Sequence, residues 1–148
     1  MSPRCFTILA CCLGAFLADA AAATSQVAKD APIVDFRLPS FTPAGHRAWL
    51  VRGSEARFAD QNDISITELT LTVFTGDATE RIETLILSPA ARVRPDEAVA
   101  TGDSTIRVIN DNFEATGAGW RYDHREKRVS IARNVRVTFH AELKNYLQ

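Results

Sequence analysis

The stretch from Ile64 to His140 decides the fold, because apolar and polar residues alternate along it in one segment after another. The alternating segments are Leu69-Thr-Leu-Thr-Val73, Ile106-Arg-Val108, Val129-Ser-Ile131 and Val135-Arg-Val-Thr-Phe139. A period of two puts the apolar side chains of a strand on one face of a sheet, and the Thr, Ser and Arg side chains on the other. The sequence therefore predicts an all-β domain.

Eleven strands are predicted, separated by turns rich in Asp, Asn, Gly and Pro. They cover residues 47–52, 54–60, 64–75, 81–88, 90–94, 98–101, 103–109, 112–118, 120–124, 127–132 and 134–142. Turn signals about every ten residues are typical of a sandwich, jelly roll or barrel. We therefore expect one of these three architectures, built from antiparallel strands.

The strand predicted at residues 64–75 changes phase part-way along. Ile64 and Ile66 have one parity, and the apolar residues of Leu69–Val73 have the other. A bulge near Thr67–Glu68 would return both sets to one face and bend the strand. Alternatively, the strand crosses from one sheet to another and buries a different face in each.

The N-terminus has the features of a secretory signal peptide. Arg4 precedes an apolar run from Cys5 to Leu17, and Ala18-Asp-Ala20 supplies a cleavage site. We expect residues 1–20 to be removed. The alternative is a lipoprotein, because Ile8-Leu-Ala-Cys11 loosely matches a lipid-modification site.

The remaining chain is predicted to form one domain without disulfides. All three cysteines lie within the predicted signal peptide. Residues 21–43, which contain three prolines, are expected to form an extended lead-in that is tethered by Phe36, Leu38 and Phe41. Residues 44–148 are expected to form the β-domain. The net charge of −1 argues against nucleic acid as a partner.

No catalytic, cofactor or metal site is expected from the sequence. His46, His124 and His140 are far apart in sequence, and no G-x-S-x-G or H-E-x-x-H motif occurs. Gly117-Ala-Gly119 lacks the third glycine of a dinucleotide site and is expected to be a bend. These absences favour a binding or scaffolding module over an enzyme. A cluster of His124 with carboxylates would instead favour a hydrolase.

The apolar faces of the strands have two interpretations. They form a closed core between two sheets, or they line an open apolar trough that holds an acyl chain. The predicted lipid-binding groove consists of Leu69, Leu71, Val73, Leu85, Leu87, Ile106, Val108, Val129, Ile131, Val135, Val137 and Phe139.

The C-terminal half resembles the LptC/LptA (OstA-like) lipopolysaccharide-export family. The resemblance rests on three features: the strand Ala100–Val108, the G-x-G-x-x-x-D segment Gly117–Asp123, and the closing strand that begins Asn134-Val-Arg-Val137. Trp49–Ala56 resembles the opening strand of the family. The LptC type is favoured, although the apolar N-terminal run looks cleavable and the segment 76–98 is short.

The resemblance implies a single twisted, open β-jelly roll or sandwich of antiparallel strands in the periplasm. Such a domain shelters lipopolysaccharide acyl chains and passes them along a bridge of similar domains. Its partners would be lipopolysaccharide, other Lpt jelly-roll domains and the inner-membrane export ABC transporter. Since the closing strand ends near the C-terminus, we expect an uncovered edge that pairs with a partner strand. The predicted edge residues are Asn134, Arg136, Thr138 and His140. The alternative is a carbohydrate-binding or adhesion sandwich, for which Trp49 and Trp120 would be exposed.

Overall fold

A computed structural model of the chain describes residues 31–140. These residues form seven β-strands and the turns between them. The strands are β1 (Ile33–Phe41), β2 (Arg47–Asp60), β3 (Asp63–Phe74), β4 (Ile82–Arg94), β5 (Val99–Ile109), β6 (Phe113–Asp123) and β7 (Arg128–Phe139). The prediction of an all-β, open jelly roll of antiparallel strands is confirmed. The predicted signal peptide lies outside the described residues.

All seven strands belong to one sheet in the order β1-β2-β3-β4-β5-β6-β7. Each strand pairs antiparallel with the strands that precede and follow it in sequence, so the chain forms a simple meander. Within residues 31–140, β1 and β7 are therefore the two edges of the sheet. In the same range no helix is long and apolar enough to cross a membrane.

Strand β1 lies in the segment that was expected to be an extended lead-in. It was not among the predicted strands, because prolines are rare in sheets. Pro39 is tolerated because β1 is an edge strand and pairs only with β2, where Pro39 lies opposite Leu50. Phe36 is buried and Leu38 is half-buried against the core, whereas Phe41 is exposed. Two of the three proposed tethers thus anchor this strand.

A crease crosses the sheet near the middle of every strand. It consists of Asp35, Ser54, Glu68, Pro89, Ser104, Gly119 and Asn134, which fall where the pairing between neighbouring strands is interrupted. Asp35, Glu68, Gly119 and Asn134 have positive φ angles, which locally break the regular pleat. In β2 and in β4 to β7, two short predicted strands are joined at this crease into one long strand.

The crease divides the sheet into two walls. Wall A contains the strand segments next to the β3–β4 and β5–β6 turns, and wall B contains the segments on the other side of the crease. Two contacts show that the walls face each other. The Trp49 ring on wall A stacks on the ring of His124, which follows wall B, with centroids 6.0 Å apart. The Glu83 carboxylate on wall A lies 3.7 Å from the Lys127 ammonium in the β6–β7 turn.

The phase change in β3 occurs at Glu68, where φ is +52°. Ile64, Ile66, Leu69 and Leu71 are all at most 2% exposed, so both sets of apolar residues enter the core. Pairing with β2 keeps the same register on both sides of the crease, so no extra residue is inserted as in a simple bulge. The left-handed backbone at Glu68 directs the apolar side chains after it into the core again. Glu68 lies where the pairing with β2 is interrupted.

Candidate functional site

The inner surface of wall A carries an unbroken apolar row that runs across all seven strands. Each member lies directly opposite the next in the register of the sheet. The row is Leu38, Val51, Leu71, Ile86, Val108, Ala115 and Val137. A continuous apolar row transverse to the strands lines the space between the walls from one edge of the sheet to the other.

Wall B presents a matching row towards the same space. It consists of Phe58, Ile64, Val93, Ala100, Tyr122 and Val129, again in direct cross-strand register. Most members of both rows belong to one hydrophobic cluster, and Phe58 and Val129 pack at its margin. The two walls therefore form a single trough rather than two separate surfaces.

Exposure along the wall A row shows that the trough is closed from β2 to β5, half-covered at Leu38 on β1, and open at β7. Val51, Leu71 and Ile86 are 0% exposed, Val108 is 2% exposed, and Val137 on the edge strand is 44% exposed. The closed end is filled by packed side chains, including the Phe36 and Phe58 rings at 5.8 Å. The open end lies between β6 and β7.

At this open end lies an apolar cleft of ≈250 Å³. It is lined only by apolar side chains, which are contributed by both walls: Val108, Phe113, Ala115, Val129, Ile131, Val135 and Val137. Phe139 continues this surface, since its ring lies 6.4 Å from that of Phe113. A hydrocarbon chain placed here would exchange water for aliphatic contacts on two sides.

The structure divides the predicted groove residues into three groups, of which two face the space between the walls. Leu69, Leu71, Val73, Ile106 and Val108 are at most 2% exposed, so they form the closed core. Val129, Ile131, Val135, Val137 and Phe139 lie at the open end.

Leu85 and Leu87 lie on the opposite face of β4. They alternate with Ile86, which is fully buried between the walls, so their side chains point away from the trough. Sequence reasoning passed over Ile86, Phe113 and Ala115. Leu85-Ile-Leu87 is an uninterrupted apolar triplet, so its phase is not visible, and the inward neighbours Thr84 and Ser88 are polar.

Ser88 is tolerated in the interior because the crease satisfies its hydroxyl. Its Oγ donates to the Thr105 carbonyl oxygen at 2.7 Å and accepts from Trp120 Nε1 at 3.3 Å. A Cβ added to Gly102 would lie 2.6 Å from the same Trp120 nitrogen, so this position needs glycine. Gly117-Ala-Gly119 was expected to be a bend between strands, but it lies within β6, where the pairing with β7 is irregular and Gly119 has a φ of +63°.

His124 is partly buried and packs where the walls meet. His124 Nδ1 lies 2.9 Å from the Tyr122 hydroxyl, and the ring stacks on Trp49. Burial lowers the pKa of His124, and Lys127 lowers it further. Burial also raises the pKa of the Tyr122 phenol. Within residues 31–140, no group of three or more His, Cys, Asp or Glu residues could hold a metal ion. This arrangement is that of a packing contact between the walls.

The lowered pKa of His124 predicts that the protein loses stability in mild acid. Because the unfolded state takes up a proton at a higher pH than the folded state, stability falls as the pH drops through about 6.5. The loss stops growing below the pKa of the folded state. Melting temperatures measured between about pH 7.5 and 5.5 should fall less for His124→Gln than for the wild type. Parallel curves for the two proteins would contradict this assignment.

The backbone of β7 has one set of groups directed to β6 and another directed to the open edge. The His140 N–H donates to the Asn112 carbonyl oxygen at 2.8 Å, on the β6 side. Successive residues of a strand alternate in direction, and the register is regular from Arg136 to Phe139. Thr138 and Arg136 therefore also face β6, whereas Val137 and Phe139 direct their N–H and C=O groups outward.

The direction of these backbone groups decides which residues of β7 can form hydrogen bonds with a partner strand, and they are not the residues that were predicted. Of the predicted edge residues, Arg136 and Thr138 lie on β7 and His140 follows it, but the backbone groups of all three face β6. Asn134 lies at the crease, with a φ of +52°. The outward groups belong to Val137, whose side chain lines the cleft, and to Phe139, which continues the apolar surface beside it. The same residues thus carry the free backbone groups of the edge and the apolar side chains of the open end.

A comparison with known protein families identifies the family of this chain. Residues 37–140 match the LptC-related lipopolysaccharide-assembly family. The chain belongs to this family. The match covers β2 to β7 completely and most of β1. No curated protein matches the sequence.

Membership of the LptC-related family confirms the resemblance seen in the sequence and gives the protein a role in lipopolysaccharide transport. The family consists of transport components rather than enzymes, and its proteins are associated with the cell envelope. An apolar trough with an open end is consistent with such a role.

Proposed function

We propose that the protein holds acyl chains of lipopolysaccharide in the cleft between its walls and passes them to a neighbouring domain of the same fold. The observation that carries this proposal is the change in exposure along the wall A row, from 0% at Leu71 to 44% at Val137. Here, apolar side chains of β7 remain open to solvent beside an apolar cleft.

The energetics of lipid transfer support this use of the cleft. Exposing an acyl chain to water costs about 0.8 kcal/mol for each CH₂ group, so a long chain needs an apolar path. Aliphatic walls bind without directional contacts, and a chain can therefore slide along them. The lining of Val, Ile, Ala and Phe has this character.

The proposed setting is the periplasm, with the predicted signal peptide directing export. In this proposal the partners are lipopolysaccharide, another Lpt jelly-roll domain that pairs with β7, and the inner-membrane export ABC transporter. The outward backbone groups of Val137 and Phe139 would continue the sheet into the partner. Because their side chains line the cleft, strand pairing would also join the two apolar surfaces.

The alternative of a carbohydrate-binding or adhesion sandwich loses its main support. That function favours exposed aromatic platforms, but Trp49 and Trp120 are each only 4% exposed. Trp120 is also engaged through its indole nitrogen with Ser88. Neither indole is available to stack on a sugar.

Photo-crosslinking in cells tests the proposed cleft. A benzophenone-bearing amino acid at Val137 or Ile131 should give adducts with lipopolysaccharide, because both side chains line the cleft. The same amino acid at Arg136 or Ser130 is the matched control, one residue away and on the opposite face of β7. Adducts at all four positions with equal yield would contradict the proposal, as would adducts only at the control positions.

A further inference from the structure

A polar hollow of ≈490 Å³ adjoins the apolar cleft. It lies where the end of the β3–β4 turn, the β5–β6 turn and the β6–β7 turn converge. Val108, Phe113 and Val129 line both the hollow and the cleft, so the two spaces share a wall. The volume falls within the range of about 300–1,000 Å³ that is usual for small-molecule sites. Together the spaces form one amphipathic trough.

The charged groups of the hollow are balanced. Arg81 and Lys127 contribute two cations, and Glu83 and Asp111 contribute two carboxylates. A phosphate group would gain from the cations but would be repelled by the carboxylates. An uncharged group with many hydroxyls can accept hydrogen bonds from the cations and donate to the carboxylates.

These polar groups have few competing partners. Among residues 31–140, the side chains of Arg81, Asp111 and Asn112 form no hydrogen bond or ion pair. The Lys127–Glu83 pair is 3.7 Å long and half-exposed on both sides, so it is weak and open to exchange. The hollow thus holds donors and acceptors that a ligand can use without breaking the fold.

We propose that this hollow binds the saccharide headgroup of a glycolipid whose acyl chain lies in the cleft. The inference rests on the proposed function and adds the headgroup to it. Asp111 accepts from sugar hydroxyls, while Asn112 and Lys127 donate to sugar oxygens. Phe113 lies between the two spaces and contacts the junction of sugar and chain.

Three amphiphiles with the same dodecyl chain and different headgroups distinguish the contribution of the headgroup to binding from that of the chain. Their headgroups are maltose, octaethylene glycol and phosphocholine, and binding to the mature protein is measured by calorimetry below the micelle concentration. Dodecyl maltoside should bind about tenfold more tightly than the ethylene glycol ether, as expected for a small number of added hydrogen bonds. The double variant Asp111→Ala/Asn112→Ala should lose this preference and keep its affinity for the ether. Asp103→Ala, on the outer surface near the crease, is the matched control and should retain the preference.

The outcomes distinguish failure of the headgroup site from failure of the cleft. Equal affinity for maltoside and ether, unchanged in the double variant, would overturn the headgroup site and leave the cleft standing. A preference for phosphocholine would overturn it in favour of a phosphate site. Absence of binding by all three amphiphiles would remove the proposed function itself. Ile131→Asp, inside the cleft, should weaken the maltoside and the ether alike.

Discussion

The substitution Val137→Pro is expected to weaken the proposed strand pairing with a second jelly-roll domain while the protein stays folded. The Val137 N–H points away from β6, so its loss removes a hydrogen bond that only a partner would receive. Proline is compatible with edge strands, as Pro39 in β1 shows. Loss of one partner bond and the altered backbone should weaken association by on the order of tenfold or more. Pull-down of a purified LptA-type domain and circular dichroism measure the two effects.

Thr138→Pro is the matched control on the next residue. Its N–H faces β6, so this change should break the internal ladder and lower the melting temperature, which Val137→Pro should not do. Wild-type pull-down by a folded Val137→Pro protein would exclude pairing at this edge. Unfolding of Val137→Pro would show instead that the strand is held on both sides.

The substitution Leu71→Ala is expected to reduce the free energy of unfolding by about 2–5 kcal/mol. Leu71 is 0% exposed and lies between Val51 and Ile86 in the wall A row, in the closed half of the trough. Truncation there removes buried methyl groups and leaves a cavity that packed neighbours cannot fill. Urea denaturation of the purified protein measures the change.

Leu87→Ala makes the same chemical change on the other face of the sheet. Leu87 is half-buried on the outer surface of β4, so its truncation should cost less than half as much as that of Leu71. Equal losses for the two variants would contradict the face assignment in β4. A larger loss for Leu87 would place that side chain between the walls, as the sequence had predicted.

The positions of strands and bends are strongly encoded in the local sequence. Alternating apolar residues located six of the seven strands, and the gaps between paired predictions fell at or beside the crease, at residues such as Pro89 and Gly119. These positions are visible because proline has a fixed φ angle, whereas glycine and asparagine tolerate the positive φ angles found at bends. β1 was missed because its prolines are tolerated only at an edge, and edge position is a property of the whole sheet.

The sequence by itself determined the all-β class, the strands and bends, and the family resemblance. Only the tertiary structure decided which face of Leu85-Ile-Leu87 enters the trough, that the trough closes around Leu71, and that it opens at Val137. Alternation fixes the relative direction of neighbouring side chains within one strand, but left-handed residues such as Glu68 reset it at the crease. Whether a side chain is buried then depends on strands that are distant in sequence. Which backbone groups of β7 are free to bind a partner depends on the side of β7 on which β6 lies.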